Sequence, residues 1–174
     1  IAGIVTFGTW GLLPLYLKQL KHLPPPEVLA HRVVWSVVTM LALIALLRGW
    51  GSVRAALGNR RAMLTLFATA SLISVNWLIY IFAVSGGHIL QASMGYFINP
   101  LISVLFGFLF LRETMTRRQW VAVACAALGV TFLVVRLGEV PVIALSLALT
   151  FATYGLLRKT IPVDGMSGMT IESL

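Results

Sequence analysis

Six long apolar runs, separated by short polar gaps, most strongly limit how this chain can fold. They lie at about 1–17, 26–47, 62–83, 90–111, 118–136 and 140–157. Each is close to the roughly 20 residues that an α-helix needs to cross the hydrocarbon core of a bilayer. Apart from a basic stretch between Arg48 and Arg61, the gaps are too short to hold a soluble domain. The sequence therefore predicts an all-α, polytopic membrane protein with six transmembrane helices.

The composition excludes several other classes of protein. Of the 174 residues, 59% are apolar and only 10% are charged, which is too little charge to cover the surface of a soluble domain. The formal net charge of +8 would suggest a nucleic-acid partner in a soluble protein. Here the basic residues lie in the gaps between apolar runs, where they act as a topology signal. We therefore expect membrane lipids around the chain and no nucleic acid.

The sequence offers no chemistry for an enzyme. Cys125 is the single cysteine and lies within an apolar run, so it forms neither a disulfide framework nor a cysteine metal site. Paired acids, a Ser-His-Asp order, a phosphate-binding glycine loop and metal-ligand spacing are all missing from the sequence. We expect no catalytic residues, no metal and no cofactor.

The lysines and arginines in the gaps predict the orientation in the membrane. One side of the predicted membrane carries Arg48, Arg54, Arg60, Arg61, Arg112, Arg117, Arg118, Arg158 and Lys159, a set that we call the basic end. The other side carries Lys18, Lys21 and Arg136. By the positive-inside rule the basic end faces the cytoplasm. The N-terminus is then predicted to be cytoplasmic as well.

An internal repeat relates the first and the sixth apolar runs. TFGTWGLL at 6–13 aligns with TFATYGLL at 150–157, and slightly further along Glu27 aligns with Glu172. Five predicted spans separate the two starting points, so the second copy enters the membrane in the opposite direction. Inverted repeats are found in many secondary transporters; the alternative is a chance match between two apolar segments.

The repeat predicts two units in this chain. Residues 1–139 would form a first five-helix unit, and 140–174 the first helix and following loop of a second, truncated unit. About four further spans would complete a ten-helix carrier of five plus five helices. The chain begins at Ile1 without an initiator methionine or a signal-peptide pattern, and we expect a trimmed start.

A polar ridge runs along the fourth apolar run. Gln91, Gly95, Asn99, Ser103 and Gly107 recur every four residues, and each step turns by only about 40° around a helix. Pro100, which cannot donate a backbone hydrogen bond, weakens the helix beside Asn99 and is the predicted hinge. Such a ridge either holds a solute at mid-depth or joins neighbouring helices.

Polar and aromatic residues in the other runs add to a predicted solute site. They are Trp10 in the first run, His31, Arg32 and Trp35 in the second, and Asn76 and Tyr80 in the third. In the functional interpretation Arg32 faces a solute. In the alternative its side chain reaches the outer headgroups or pairs with Glu27. Histidine is the side-chain type whose ordinary pKa lies near neutrality, so His31 is either a proton carrier or a structural histidine. Asn76 either faces the cavity or forms a helix–helix hydrogen bond.

Four segments resemble one transporter family. They are EVLAHRVVWS at 27–36, NWLIYIFAV at 76–84, QASMGYFINPL at 91–101 and FLFLRE at 108–113. In this order they resemble the RarD-type permeases of the EamA family, in the drug/metabolite transporter superfamily. The resemblance implies a permease with ten helices in two inverted repeats, located in the bacterial inner membrane. The name of the family is linked to chloramphenicol.

The resemblance also bears on individual residues. It implies that His31, Arg32, Asn76, Tyr96 and Asn99 match the embedded polar positions of the family. An acidic residue is common in the family at the position of Gln91, so a proton-coupling role at this neutral amide is in doubt. No carboxylate lies in the middle of a predicted span. Proton coupling would then use His31, lie outside this part of the protein, or be absent.

The predicted function is secondary transport of a small organic metabolite or drug-like solute across the cytoplasmic membrane, as a permease or exporter. The predicted cavity is lined by Trp10, His31, Arg32, Trp35, Asn76, Tyr80, Gln91, Tyr96 and Asn99. Arg32 would attract an anionic group, the amides would orient the solute and the aromatic rings would stack on it. The alternative is a non-transporting membrane scaffold or assembly partner, and the sequence leaves a homodimer open.

Overall fold

The computed structural model describes residues 2–174, without the side chains of Ala2, Thr6 and Phe7. The described part therefore leaves out Ile1, at the start of the first run. It also leaves out the side chains of Thr6 and Phe7, in the first copy of the repeat. Within it the chain forms the helices α1 (Ala2–Gln19), α2 (Pro25–Leu46), α3 (Trp50–Leu57), α4 (Arg60–Ser85), α5 (Ile89–Phe110), α6 (Arg117–Leu137), α7 (Val142–Lys159) and α8 (Gly165–Ser173).

The long helices coincide with the apolar runs. In the described residues, α2, α4, α5, α6 and α7 are long and apolar enough to cross a membrane, and their ends lie within two residues of the predicted ones. The helical membrane class is thereby confirmed. Helix α1 is not among these five, because Lys18, Gln19 and its glycines lower its mean hydropathy. The count of six spans and the ten-helix repeat remain predictions.

Local sequence signals explain where several helices begin and end. The Asn59 side chain accepts a hydrogen bond from the backbone N–H of Ala62, 3.1 Å away, and so caps the start of α4. Thr116 and Gln119 form a capping box at the start of α6. Helix α6 stops at Gly138, whose φ of 73° is the left-handed conformation that glycine adopts without strain.

Two short helices were not predicted. Helix α3 lies in the basic stretch between the second and third runs, and α8 lies in the segment after the sixth run. With 8 and 9 residues they are too short to give an apolar window of membrane-spanning length. They pack against each other and against α4, and α8 also packs against α2. Together they cover part of the basic end.

Helix α7 has its most extensive contacts with α5 and α4. Gln91, near the start of α5, donates a 2.8 Å hydrogen bond to Glu139, just before α7. At the other end of the two helices, Lys159, the last residue of α7, pairs at 2.9 Å with Glu113, which follows α5. Helices α5 and α7 therefore run parallel through the bundle.

The first helix runs in the opposite direction to α7. Leu17, near the end of α1, belongs to a buried cluster with Val84 and Ala92, at the end of the bundle away from the basic end. Helix α7 begins at that same end and finishes at the basic end. An inverted repeat requires opposite directions for α1 and α7, but the repeat itself remains a prediction.

Helix α6 presents its apolar side chains outward. None of its residues is buried, and Leu128, Phe132 and Val135 are between 60% and 72% exposed. Such a surface is unfavourable in water but is what lipid tails cover in a membrane. This exposure agrees with the helical membrane class.

Candidate solute-binding site

Two neighbouring cavities contain most of the predicted site residues. The first, of about 760 Å³, lies mainly between α1, α2 and α4 and is called the Arg32 cavity; its polar and aromatic lining includes Tyr16, His31, Arg32, Trp35, Ser36, Ser74, Trp77 and Glu172. The second, of about 640 Å³, lies between α1, α4, α5 and α7 and is called the Asn99 cavity; its lining includes Trp10, Asn76, Tyr80, Tyr96, Asn99 and Pro100. The structure thus distributes the predicted set over two cavities.

Arg32 is held against an aromatic ring in the Arg32 cavity. Its guanidinium carbon lies 3.6 Å from the centre of the Trp77 ring, within the range of a cation–π contact. Among the described residues the ion pairs are Arg158–Glu172 and Lys159–Glu113, so Arg32 does not pair with Glu27. Arg32 donates no side-chain hydrogen bond to a described residue, so its guanidinium N–H groups remain available to an anionic group.

His31 and Trp35 line the same cavity as Arg32. Both side chains are exposed in the described bundle, and Trp35 is 66% exposed. His31 forms no hydrogen bond with the described residues, which leaves its imidazole free to meet a solute. The cavity therefore combines a cation, an imidazole and two indoles.

An aromatic row separates the two cavities. Its neighbouring ring centres are 5.8 Å apart for Trp77 and Tyr80, 6.1 Å for Tyr80 and Tyr96, and 6.2 Å for Tyr96 and Trp10. Trp77 lines the Arg32 cavity, and the other three rings line the Asn99 cavity. Trp10, whose ring was predicted to stack on a solute, thus lies at one end of a row of four aromatic rings.

Asn99 and Pro100 lie side by side in the wall of the Asn99 cavity. The Asn99 side-chain oxygen accepts a hydrogen bond of 3.3 Å from Ser103, one turn along the same helix. Its amide nitrogen has no hydrogen-bond partner among the described residues and is free to donate to a solute. Helix α5 continues through Pro100 without interruption, and the role of Pro100 as a hinge remains a prediction.

Asn76 uses its amide group to join two helices. Its nitrogen donates to the backbone oxygen of Leu147 and to the hydroxyl of Thr150, both 2.8 Å away on α7. This is the helix–helix hydrogen bond that the sequence left as the alternative. Asn76 still lines the Asn99 cavity, but its donors are occupied, so a role in binding solute would have to use its oxygen.

Replacing Asn76 with leucine should lower the free energy of unfolding by about 1–2 kcal/mol, because both hydrogen bonds to α7 are lost within the membrane. Thermal unfolding in detergent measures the change. Ser71→Ala, on the same helix, is the control, since Ser71 bonds only to the carbonyl of Phe67 in its own helix. Equal unfolding curves for the two variants would contradict the assignment of Asn76 as a helix-joining residue.

The residues of the polar ridge on α5 make different kinds of contact. Gln91 bonds to Glu139 and is not among the residues that line these two cavities. Gly95 is buried against α7, Asn99 faces its cavity, and Gly107 is covered by the side chain of Glu113. From Gln91 to Gly107 the ridge turns through about 160° around the helix, so its ends cannot face one partner. A role of Gln91 in solute binding remains a prediction.

Glu172 is a cavity residue that the sequence analysis missed. Its carboxylate lines the Arg32 cavity, and its side chain is 6% exposed. It lies on α8, in a segment predicted to be a loop, so it was not counted as an embedded acid. Its alignment with Glu27 in the repeat was the available signal, because Glu27 lies at the start of a span.

Comparisons with known proteins identify the family. The profile of the EamA-like transporter family matches residues 1–135. The chain is 45% identical over all of its 174 residues to an "Uncharacterized transporter" of Vibrio cholerae, and 40% identical over all 174 to "Protein RarD" of Escherichia coli. It is 37% identical over 178 aligned positions, again its full length, to the "Chloramphenicol-sensitive protein RarD" of Pseudomonas aeruginosa.

These relatives are longer than the chain. The aligned part covers 58% of the Vibrio cholerae and Pseudomonas aeruginosa proteins and 59% of the Escherichia coli protein. No solved structure matches the chain. The family match, together with the alignments that span all of this chain, confirms the resemblance based on the four segments. The chain belongs to the EamA-like transporter family, as a RarD-type member.

Proposed function

We propose that the whole protein is a secondary transporter that moves a small organic solute across the cytoplasmic membrane of a bacterium. The family and the spanning helices support a membrane transporter. The charge distribution supports an orientation with the basic end in the cytoplasm. The relatives come from bacteria, and the inner membrane is the membrane in which such helical carriers reside.

The stacked guanidinium of Arg32 is the observation that carries the proposal. A cation within a spanning helix is costly and is retained mainly where it serves a solute or ion pathway. Arg32 is half-buried, contacts Trp77 and forms no ion pair with a described residue. Its cavity of about 760 Å³ falls within the usual range for small-molecule sites. We infer a solute that has an anionic group and an aromatic or apolar body.

The Asn99 cavity supplies a second contact surface for such a solute. It lies across the aromatic row from Arg32, and its free amide nitrogen and exposed rings suit a polar group attached to an apolar body. The name of the Pseudomonas aeruginosa relative mentions chloramphenicol sensitivity. Chloramphenicol, which is aromatic but has no anionic group, is therefore a second probe that tests the aromatic and amide contacts without the contact to Arg32.

A non-transporting scaffold is the second candidate function, and two contacts favour it. Asn76 joins α4 to α7 by hydrogen bonds, and Gly95 allows a close approach of α5 to α7. Both are what helix-joining residues do in membranes. Neither contact accounts for Arg32 or for the open amide of Asn99, and for that reason we favour transport.

Cysteine labelling at two positions of α5 separates the two functions. In a Cys125→Ser background, Asn99→Cys should react with a water-soluble maleimide, because a transporter cavity holds water. Met94→Cys should stay unlabelled, since Met94 is 3% exposed and does not line either of these two cavities. A silent Asn99→Cys in a folded protein, together with no flux of aromatic carboxylates or chloramphenicol in vesicles, would favour the scaffold.

A further inference from the structure

The connection between α2 and α4 carries positive charge that the described bundle does not neutralise. We call this surface the arginine corner, and it consists of Arg48, Arg54, Arg60 and Arg61. The stretch from 47 to 62 contains no aspartate or glutamate. The ion pairs among the described residues lie elsewhere. All four side chains are exposed and form no hydrogen bond with a described residue.

Arg48 holds a backbone conformation that arginine rarely adopts. Its φ of 54° lies in the left-handed region, where a side chain crowds the following carbonyl oxygen and glycine is the usual residue. The end of α2 fixes this conformation. The backbone N–H of Arg48 donates to the oxygen of Ala45 at 3.3 Å, and that of Gly49 donates to the oxygen of Ile44 at 3.0 Å. This is the Schellman arrangement, in which glycine normally follows the helix, so the chain keeps a cation here at a cost in backbone strain.

Neither the helix dipoles nor the topology signal accounts for the arginine corner. A cation is favoured just after the end of a helix, which suits Arg48. It is disfavoured in the first turn of a helix, where Arg60 and Arg61 begin α4. The topology signal requires positive charge on this side of the membrane, and the other three arginines would supply it without a strained backbone. An anionic ligand would offset both costs.

Helix α3 gives the arginine corner an apolar side. Val53 and Ala56 are buried, where α3 packs against α4 and α8. Trp50, Arg54 and Leu57 form a second stripe, because steps of four and three residues stay on one side of a helix. On that stripe Trp50 is 44% exposed and Leu57 is 50% exposed. A helix too short to span the bilayer, with an exposed indole and leucine one turn away from an arginine, is typical of the membrane interface.

We propose that the arginine corner binds the headgroup of an anionic phospholipid. The guanidinium groups would donate to the phosphodiester oxygens, which suit paired N–H donors. Trp50 and the leucines beside it would contact the upper part of the acyl chains. Leu46 and Leu47, which are 78% and 61% exposed, continue this apolar surface up to Arg48. One lipid would thereby connect the end of α2, helix α3 and the start of α4.

A lipid headgroup fits this surface better than a soluble anion does. The arginine corner lies between the ends of two spanning helices, α2 and α4, at the boundary between the hydrocarbon core and water. Clusters of basic residues next to a spanning helix attract anionic lipids. A soluble phosphate would leave the indole of Trp50 and the leucines in contact with water, which is unfavourable. The inference does not depend on the transport of a solute.

The first experiment measures the lipid selectivity of the whole protein. The purified protein in detergent is mixed with equal amounts of phosphatidylglycerol, which is anionic, and phosphatidylcholine, which has no net charge. Native mass spectrometry gives the ratio of the two bound lipids. Arg54→Gln and Arg60→Gln should each lower this ratio about fivefold, the factor that one basic residue contributes at a membrane surface. Arg136→Gln, which removes an exposed arginine from the opposite end, should leave the ratio unchanged.

Arg48→Gly provides a test in which the lipid changes the outcome. In nanodiscs of phosphatidylcholine, glycine should raise the midpoint of thermal unfolding by about 2–4 °C, because it removes the strain at this φ. In nanodiscs that also contain phosphatidylglycerol, the same variant should unfold at or below the temperature of the parent, because the contact with the headgroup is lost.

Arg112→Gly is the matched control. Arg112 also has a φ of 54° and also follows a spanning helix, α5. The next residue, Glu113, is an acid, and the connection from α5 to α6 contains no helix. Glycine at this position should therefore raise the midpoint by the same amount in both lipids.

Several results would overturn the proposal. They are an unchanged lipid ratio in Arg54→Gln and Arg60→Gln, an equal fall in Arg136→Gln, and an effect of Arg48→Gly that is the same in both lipids. A lipid dependence of Arg112→Gly equal to that of Arg48→Gly would show a diffuse attraction of the whole basic end and no site. Inorganic phosphate and glycerol 3-phosphate should not displace the bound phosphatidylglycerol, and displacement by either would assign the surface to a soluble anion.

Discussion

Replacing Arg32 with glutamine should reduce the flux of small aromatic carboxylates into vesicles by about 10- to 150-fold. A hydrogen bond to a charged group contributes roughly 1.5–3 kcal/mol, and each 1.4 kcal/mol is a factor of ten. Glutamine keeps much of the length of the side chain but loses the charge and the contact with the Trp77 ring. Arg32→Lys should give a flux between that of Arg32→Gln and that of the parent, because lysine keeps the charge but not the planar guanidinium.

Arg136 offers a matched control for this loss. Its guanidinium carbon lies 5.3 Å from the centre of the Phe132 ring, so it is also an arginine beside an aromatic ring. It is exposed on α6 and is not among the lining residues of either cavity. Arg136→Gln should therefore leave the flux within about twofold of the parent. Equal fluxes for Arg32→Gln and the parent would show that the Arg32 cavity does not hold the anionic group.

The positions of the long helices were predictable because hydropathy and length are local properties of a sequence. A run such as 90–111 contains all the information that is needed to predict α5. Helices α3 and α8 form for a different reason. They pack against each other and against α4, and this packing depends on the folded bundle. The local signal of α8, a cap at Asp164, is too weak to predict a helix by itself.

Candidate site residues could be selected from the sequence, but their arrangement in space could not be predicted. Embedded groups such as Arg32 and Asn99 can be recognised because a membrane disfavours them. Their division between two cavities depends on which helices are neighbours, and run lengths do not contain that information. Asn76 shows the consequence. The sequence left both of its roles open, and only the proximity of α7 reveals its two hydrogen bonds to Leu147 and Thr150.

Gly95→Leu should cause the largest loss of stability among the substitutions considered, about 3 kcal/mol or more. A Cβ atom at Gly95 would lie 3.1 Å from the Cβ of Leu147 and 3.2 Å from the backbone oxygen of Ala144. Leucine adds three further carbons to that atom, and the backbone of α7 cannot move aside without leaving α5. The folded fraction that survives purification and heating in detergent, followed by gel filtration, measures this loss.

The matched control is Gly129→Leu on α6, where a Cβ would meet no atom within 4 Å. It should change the free energy of unfolding by no more than about 0.5 kcal/mol. The loss of stability in Gly95→Ala should lie between the losses in Gly129→Leu and Gly95→Leu. If Gly95→Leu were as stable as Gly129→Leu, α5 and α7 would not be in close contact. Asn99 is one turn along α5 from Gly95, and its cavity is walled in part by Leu147 and Phe151 of α7. The same result would therefore also remove the Asn99 cavity from the proposed solute path.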